Sequence, residues 1–115
     1  MLNKSHRNLA PKRRAHALVF AALGDETRLQ LVAKLCPGQP YSISQLTEGS
    51  KLTRQAITKH LRVLENVGIV RGQRTGRESL FQFDPEPIEE TKEYLALVSE
   101  QWDRTLSRLK AFVED

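Results

Sequence analysis

Apolar positions recur at steps of three and four over most of the chain, the period of α-helices packed on one side. From Lys12 to Leu23 the stripe is Ala15, Leu18, Val19 and Ala22, with Phe20 and Leu23 adding apolar surface beside it. Gly24 closes that helix. Asp25 then suits an N-cap, and Glu26 sits favourably near the positive end of the next helix dipole. The second helix, ETRLQLVAKLC, is apolar at Leu29, Leu31, Val32, Ala33 and Leu35. Nearly every side of it is apolar, so the pattern predicts a buried central helix. Pro37-Gly38-Gln39-Pro40 ends it.

Ser42, with Gln45 three residues on, predicts a capping box that opens a third helix anchored by Ile43 and Leu46. Gly49 lets the chain turn, Leu52 fills the turn, and Thr53 caps a fourth helix. That helix buries Ile57, Leu61 and Leu64, with Val67 extending the row, and Gly68 supplies a left-handed C-terminal cap. Next comes a hairpin. Ile69 and Val70 start one strand, Thr75-Gly76 is the turn, and Leu80 to Phe83 return with Phe81 and Phe83 on one face. An isolated hairpin is marginal, so these rings are expected to pack on the helices.

Asp84 as cap and Pro85 at the first position open the last helix. Its apolar residues are Ile88, Leu95, Val98, Trp102, Leu106, Leu109 and Val113, and Thr91 fills one step. Glu86, Glu89 and Glu90 lie at its positive end, and Arg104, Arg108 and Lys110 towards its negative end. About 28 residues would make a rod of ~42 Å. A compact domain of this length has a radius of gyration of only ~13 Å. Part of the rod is therefore expected to pack on the same helix of a second copy. The short first helix is also expected to need a second surface. The fold class is mainly α with a small β-hairpin, a winged helix-turn-helix with a long C-terminal dimerisation helix. Residues 12–115 form one domain, and residues 1–11 read as a disordered basic arm, either a solvated tail or an arm that touches phosphates.

Length and composition fit one soluble domain: 115 residues, 39% hydrophobic and 28% charged. No apolar run approaches the roughly 20 residues of a membrane span. The N-terminus lacks the apolar stretch of a signal peptide, and the single cysteine fits a reducing compartment, so a cytoplasmic location is expected. The distribution of charge says more than its net value of +4. Residues 1–14 hold five cations and no anion. Residues 51–77 hold seven cations against one anion, Glu65. Residues 84–115 hold nine anions and four cations. Positive charge gathers on the two-helix unit and the hairpin, and negative charge on the last helix, which is the footprint of a protein that meets a polyanion.

The unit from Ser42 to Val67 is two short helices joined by a tight turn. Its second helix carries Arg54, Gln55, Thr58, Lys59 and Arg62 on a face not needed for packing. Such a helix suits the major groove of double-stranded DNA. The hairpin tip, Arg74-Thr75-Gly76-Arg77, has no packing reason to be cationic. A winged module that binds another protein without DNA is the alternative, and cations on both the helix and the wing disfavour it. No catalytic triad, phosphate-binding glycine loop or metal cluster is present in the sequence, so an enzyme is not expected.

From Leu23 to Val113, about four-fifths of its length, the chain resembles the ArsR-type winged helix-turn-helix repressors of prokaryotes. The resemblance rests on LGDETRLQLV, LTRQAITKHLRVLENVGIV and the wing RTGRESLFQF. The tail WDRTLSRLKAF is similar to the subgroup whose last helix carries a Trp and spaced Leu residues. The resemblance implies a homodimer joined through the first and last helices, here through Leu18, Leu95, Val98, Trp102, Leu106 and Leu109. It also implies a pseudo-palindromic operator and repression of a nearby promoter. Gln55, Thr58 and Lys59 match the family's base-reading or groove-facing positions, Arg54 and Arg62 its phosphate contacts, and Arg74 and Arg77 its wing tip. Amide and cationic side chains can make such contacts to purine edges and phosphates.

Metal-sensing members carry a cysteine pair near the start of the third helix, where this chain has Tyr41-Ser42-Ile43-Ser44. Others carry Asp and His ligands on the last helix, which here has no His and no Cys. His6, His16 and His60 show no ligand spacing. No metal or other cofactor is therefore expected, and no residue pattern names an effector. Cys36, with no second thiol, reads as an ordinary helix-end cysteine. His60 could touch DNA or serve the core beside Leu61.

Overall fold

The computed structural model describes residues 2–114, and their side chains from Lys12 onward. The elements in order are α1 (Leu2–Leu23), α2 (Glu26–Leu35), β1 (Tyr41–Ser42), α3 (Ile43–Thr47), α4 (Arg54–Asn66), β2 (Val70–Thr75), β3 (Glu78–Phe83) and α5 (Glu86–Glu114). Three helix N-caps lie where the sequence places them, whereas the last helix begins at Glu86, one residue later than expected. Asp25 Oδ2 accepts the Arg28 N–H at 3.0 Å. Ser42 and Gln45 complete a capping box in both directions, at 3.1 and 2.8 Å. Thr53 Oγ1 accepts the Ala56 N–H at 3.1 Å. Each satisfies a donor that the first helical turn leaves unpaired. Gly68, at φ 81°, turns the chain after α4. A side chain there would carry the steric penalty of the left-handed region.

The core forms around α4. Ile57, Leu61 and Leu64 are fully buried together with Leu35, Ile69 and Val70. Val19, Ala22, Leu31, Leu46 and Phe81 complete the cluster, and Ile43, Leu52, Phe83 and Ile88 pack at its margin. The expected hairpin is present, and it gains a third strand. β1 pairs antiparallel with β3, so the sheet order is β1-β3-β2. Tyr41 stands opposite Phe81, and Phe81 opposite Gly72. A two-residue strand between Pro40 and a capping box is too short to show alternation, which is why the sequence pattern does not reveal it. It ties the start of α3 to the wing and leaves β2 as a free edge.

Two expectations need correction. Helix α2 is not buried all round: Leu31 and Leu35 are buried, but Leu29 is 52% exposed and Ala33 is exposed too. A domain of this size has too few layers to enclose a helix, so α1, α4 and β3 cover one side of it only. Helix α1 also departs from its predicted stripe. Val19 and Ala22 are buried, Ala15 and Leu18 are exposed, and the inward position is taken by His16, 8% exposed. Helix α1 spans Leu2–Leu23.

His16 has a specific partner. Its Nδ1 lies 3.0 Å from Thr91 Oγ1, and its ring stacks at 4.7 Å on Tyr94. Thr91, an apparent gap in the apolar row of α5, is thus buried against a polar group. The contact joins α1 to the first half of α5. The second half leaves the domain: every residue from Ser99 to Glu114 is exposed. The molecule measures 66 × 33 × 21 Å with a radius of gyration of 18.8 Å. Among the described residues no helix is long and apolar enough to cross a membrane. Replacing Thr91 by Val keeps the shape but removes the His16 partner. Chemical denaturation should show a loss of about 1–3 kcal/mol, the cost of an unsatisfied buried polar group.

Candidate nucleic-acid interface

Helix α4 is amphipathic because its period separates two sets of residues. Ile57, Leu61 and Leu64 face the core. Arg54, Gln55, Lys59 and Arg62 are exposed, and Thr58 is half-buried. Thr58 Oγ1 donates to the Arg54 carbonyl at 2.7 Å, one turn back. Arg54 Nη1 donates to Ser44 Oγ at 2.8 Å. Ser44, at the start of α3, thereby orients the first cation of α4. Sequence reading noted this position only for the thiol it lacks. The wing packs on α4 through β2. At its tip Arg74 stands opposite Ser79 and Thr75 opposite Glu78, and Arg74 and Arg77 are both exposed.

Among the described residues, Arg54, Lys59, Arg62, Arg74 and Arg77 make no ion pair; the pairs observed involve Arg71, His60 and Lys110. Arg71 is thus the exception in the basic region, held 2.8 Å from Asp84 Oδ2. The other cations are available to phosphate. Surface charge unmatched by local carboxylates gives a positive potential along α4 and the wing, which attracts a polyanion.

The helix is held from behind by a polar cluster. Arg28 Nη1 lies 3.1 Å from His60 Nδ1, and its Nε donates to the Ala22 carbonyl. A guanidinium offers only donors, so His60 Nδ1 is the acceptor of this bond. Asp25 Oδ2 lies 3.7 Å from the same nitrogen. His60 therefore ties α4 to the start of α2. The Arg28 backbone N–H holds the Asp25 carboxyl below its ordinary value of 3.8; partial burial opposes this, and the charge of Arg28 adds to it.

The residues expected at a dimer interface form a second surface. Leu18, Leu95, Trp102, Leu106 and Leu109 are exposed, with Trp102 at 61% and Leu106 at 54%. Val98 is half-buried. Phe112 and Val113 extend the exposed row to the end of α5. Cys36 is a free, exposed thiol.

Known proteins match this chain over the same elements. The family described as bacterial regulatory protein, arsR family, matches residues 25–71, from the cap of α2 into β2. The uncharacterized HTH-type transcriptional regulator YuzN of Bacillus subtilis (strain 168) is 37% identical over 76 residues, which span 61% of this chain and 83% of that protein. A solved ArsR-like transcriptional regulator from Rhodococcus sp. RHA1 superposes with a TM-score of 0.78 at 34% identity, covering 89% of this chain and 95% of the other. A second solved ArsR family transcriptional regulator gives 0.72 at 26% identity, covering 79% and 93%.

The Asp25 cap carries a pH dependence. Because its folded pKa is lowered, its contribution to stability is complete above 3.8 and is lost as pH falls through the lower folded value. In urea titrations from about pH 6 to about pH 2, the stability gap between wild type and Asp25→Asn should narrow below that point. A gap that stays constant would show that the charge contributes nothing.

Proposed function

The chain belongs to the ArsR family of bacterial regulatory proteins and is a DNA-binding transcriptional regulator, not an enzyme, and from that premise we propose that it is a homodimeric repressor acting on a pseudo-palindromic operator. One observation carries the assignment of its DNA-binding face: among the described residues, Arg54, Lys59 and Arg62 of α4 and Arg74 and Arg77 of the wing tip have no carboxylate partner, although the chain is rich in carboxylates elsewhere. Gln55, Thr58 and Lys59 would read base edges in the major groove, and Arg54 and Arg62 would hold phosphates. Arg74 and Arg77 would follow the backbone beside it. Repression then needs only occupancy, since a bound dimer excludes other proteins from the promoter. Binding to the chromosome would place it in the cytoplasm.

The homodimer rests on the apolar row of α5 with Leu18 of α1. Large apolar side chains left in water over this length mark an interaction surface. A symmetric pairing would cover the same residues on both copies, with residues 12–115 of each acting as one domain. It would also set two α4 helices about 34 Å apart, one turn of B-DNA.

Two experiments test this. In the first, a duplex selected from a random pool is titrated across salt. Four phosphate-facing arginines per copy give about eight contacts per dimer, so log K should fall against log salt with a slope near −7. Substituting Gln55 and Lys59 together by Ala should weaken the selected duplex about tenfold or more while leaving random DNA much less affected. A flat salt response would overturn the DNA-binding face. In the second, Leu106→Glu should shift the protein from dimer to monomer in sedimentation while its helical circular dichroism is retained. An unchanged dimer would move the interface elsewhere.

A further inference from the structure

Glu65 is an anion on a surface that otherwise favours phosphate. It is the one carboxylate among seven cations between residues 51 and 77. It lies in the last turn of α4 and is exposed. Close to DNA its charge alone would weaken binding, because it opposes the cations that displace counterions.

Its contact supplies a reason for it. Glu65 Oε2 accepts the backbone N–H of Gly72 at 3.1 Å. Strand β2 is the edge of the sheet, so this N–H points off the open side, where no strand is available to receive it. A Cβ at residue 72 would lie 2.8 Å from Glu65 Oε2 and 3.2 Å from the Phe81 ring. Glycine therefore lets both the carboxylate and the ring approach the strand closely at this position. The neighbouring Arg71 is held by Asp84, whose other oxygen accepts the Glu86 N–H at 3.0 Å as α5 begins. The base of the wing is thus fastened to α4 at one residue and to the start of α5 at the next. Arg74 stands two residues beyond Gly72.

We propose that Glu65 is a positioning residue for DNA recognition: it locks the wing to α4 at Gly72 and sets the span between the groove contacts of α4 and the phosphate contacts of Arg74 and Arg77. This rests on the assignment of α4 and the wing as the DNA-binding face. Two effects of opposite sign meet at this side chain. Removing the charge favours DNA, and removing the latch frees the wing and disfavours DNA. Glu65→Gln removes only the charge, because the amide oxygen still accepts the Gly72 N–H. Glu65→Ala removes both.

The test measures the affinity of wild type, Glu65→Gln and Glu65→Ala for a duplex selected by the wild type from a random pool. Each is made with the wing intact and with Arg74→Ala/Arg77→Ala. Amide exchange at Gly72 is followed by NMR in the free proteins. Glu65→Ala should weaken binding about three- to tenfold, the range of a single hydrogen bond. Glu65→Gln should bind at least as tightly as wild type. Without the wing arginines, Glu65→Ala should no longer weaken binding. Gly72 exchange should speed up in Glu65→Ala and not in Glu65→Gln. If both variants tighten binding equally, Glu65 is an unfavourable surface charge and nothing more. If Glu65→Ala weakens binding equally with and without the wing arginines, its role is general support of the fold and the proposal fails. Unchanged Gly72 exchange in Glu65→Ala would also overturn it. A wild type that selects no duplex overturns the DNA-binding face instead, and the exchange measurement still decides whether Glu65 holds Gly72.

Discussion

Ile57, Leu61 and Leu64 must be buried, and the helix that carries them has a fixed period. Those two constraints together decide which residues of α4 meet the solvent. All three side chains are fully or almost fully enclosed, and each would lose roughly 1.5–3 kcal/mol of burial free energy if the helix turned outward. At 100° per residue, no rotation of α4 keeps this row inside and also hides Arg54, Gln55, Lys59 and Arg62. The recognition face therefore follows from core packing. Leu35, Ile69 and Val70 complete the same enclosure, so α2 and the wing are placed by the helix they cover.

Polar contacts then refine what the apolar contacts establish. The Asp25–Arg28–His60 cluster joins α2 to α4, and Ser44 sets the direction of Arg54. The His16–Thr91 pair joins α1 to α5 inside the domain. Such contacts add little net stability when made, but each is costly to break once buried. They act as registers: they select one seating of each helix from several that hydrophobic burial alone would tolerate. This explains why a histidine takes the inward position of α1 while a leucine beside it faces water.

The two halves of α5 differ because the domain is small. Ile88, Thr91 and Tyr94 still find neighbours in the core or on α1, whereas Trp102, Leu106, Leu109 and Phe112 have moved beyond it. A helix of 29 residues outruns a domain whose compact radius of gyration would be about 13 Å. Its exposed apolar row is the basis for the proposed homodimer. That pairing would convert an unfavourable monomer surface into the element that spaces two α4 helices on DNA.

Much of the fold was legible in the residues. The caps at Asp25, Ser42 and Thr53, the row on α4, the hairpin and the long last helix all follow from short-range chemistry, which acts over three or four residues and so is written directly in sequence spacing. The exposed cations of α4 and the wing followed from the same periodicity. What the sequence could not supply were contacts between residues distant along the chain. Strand β1 exists only because β3 offers it a partner. His16 is inward only because Thr91, 75 residues away, receives it. Leu29 is outward because no layer lies over that side of α2. Glu65 appeared in the sequence as a stray negative charge, and only the edge of a folded sheet gave it an N–H to hold. Spacing along the chain determines each helix and its faces; which face finds a partner depends on packing in three dimensions, and that was decided by the tertiary structure alone.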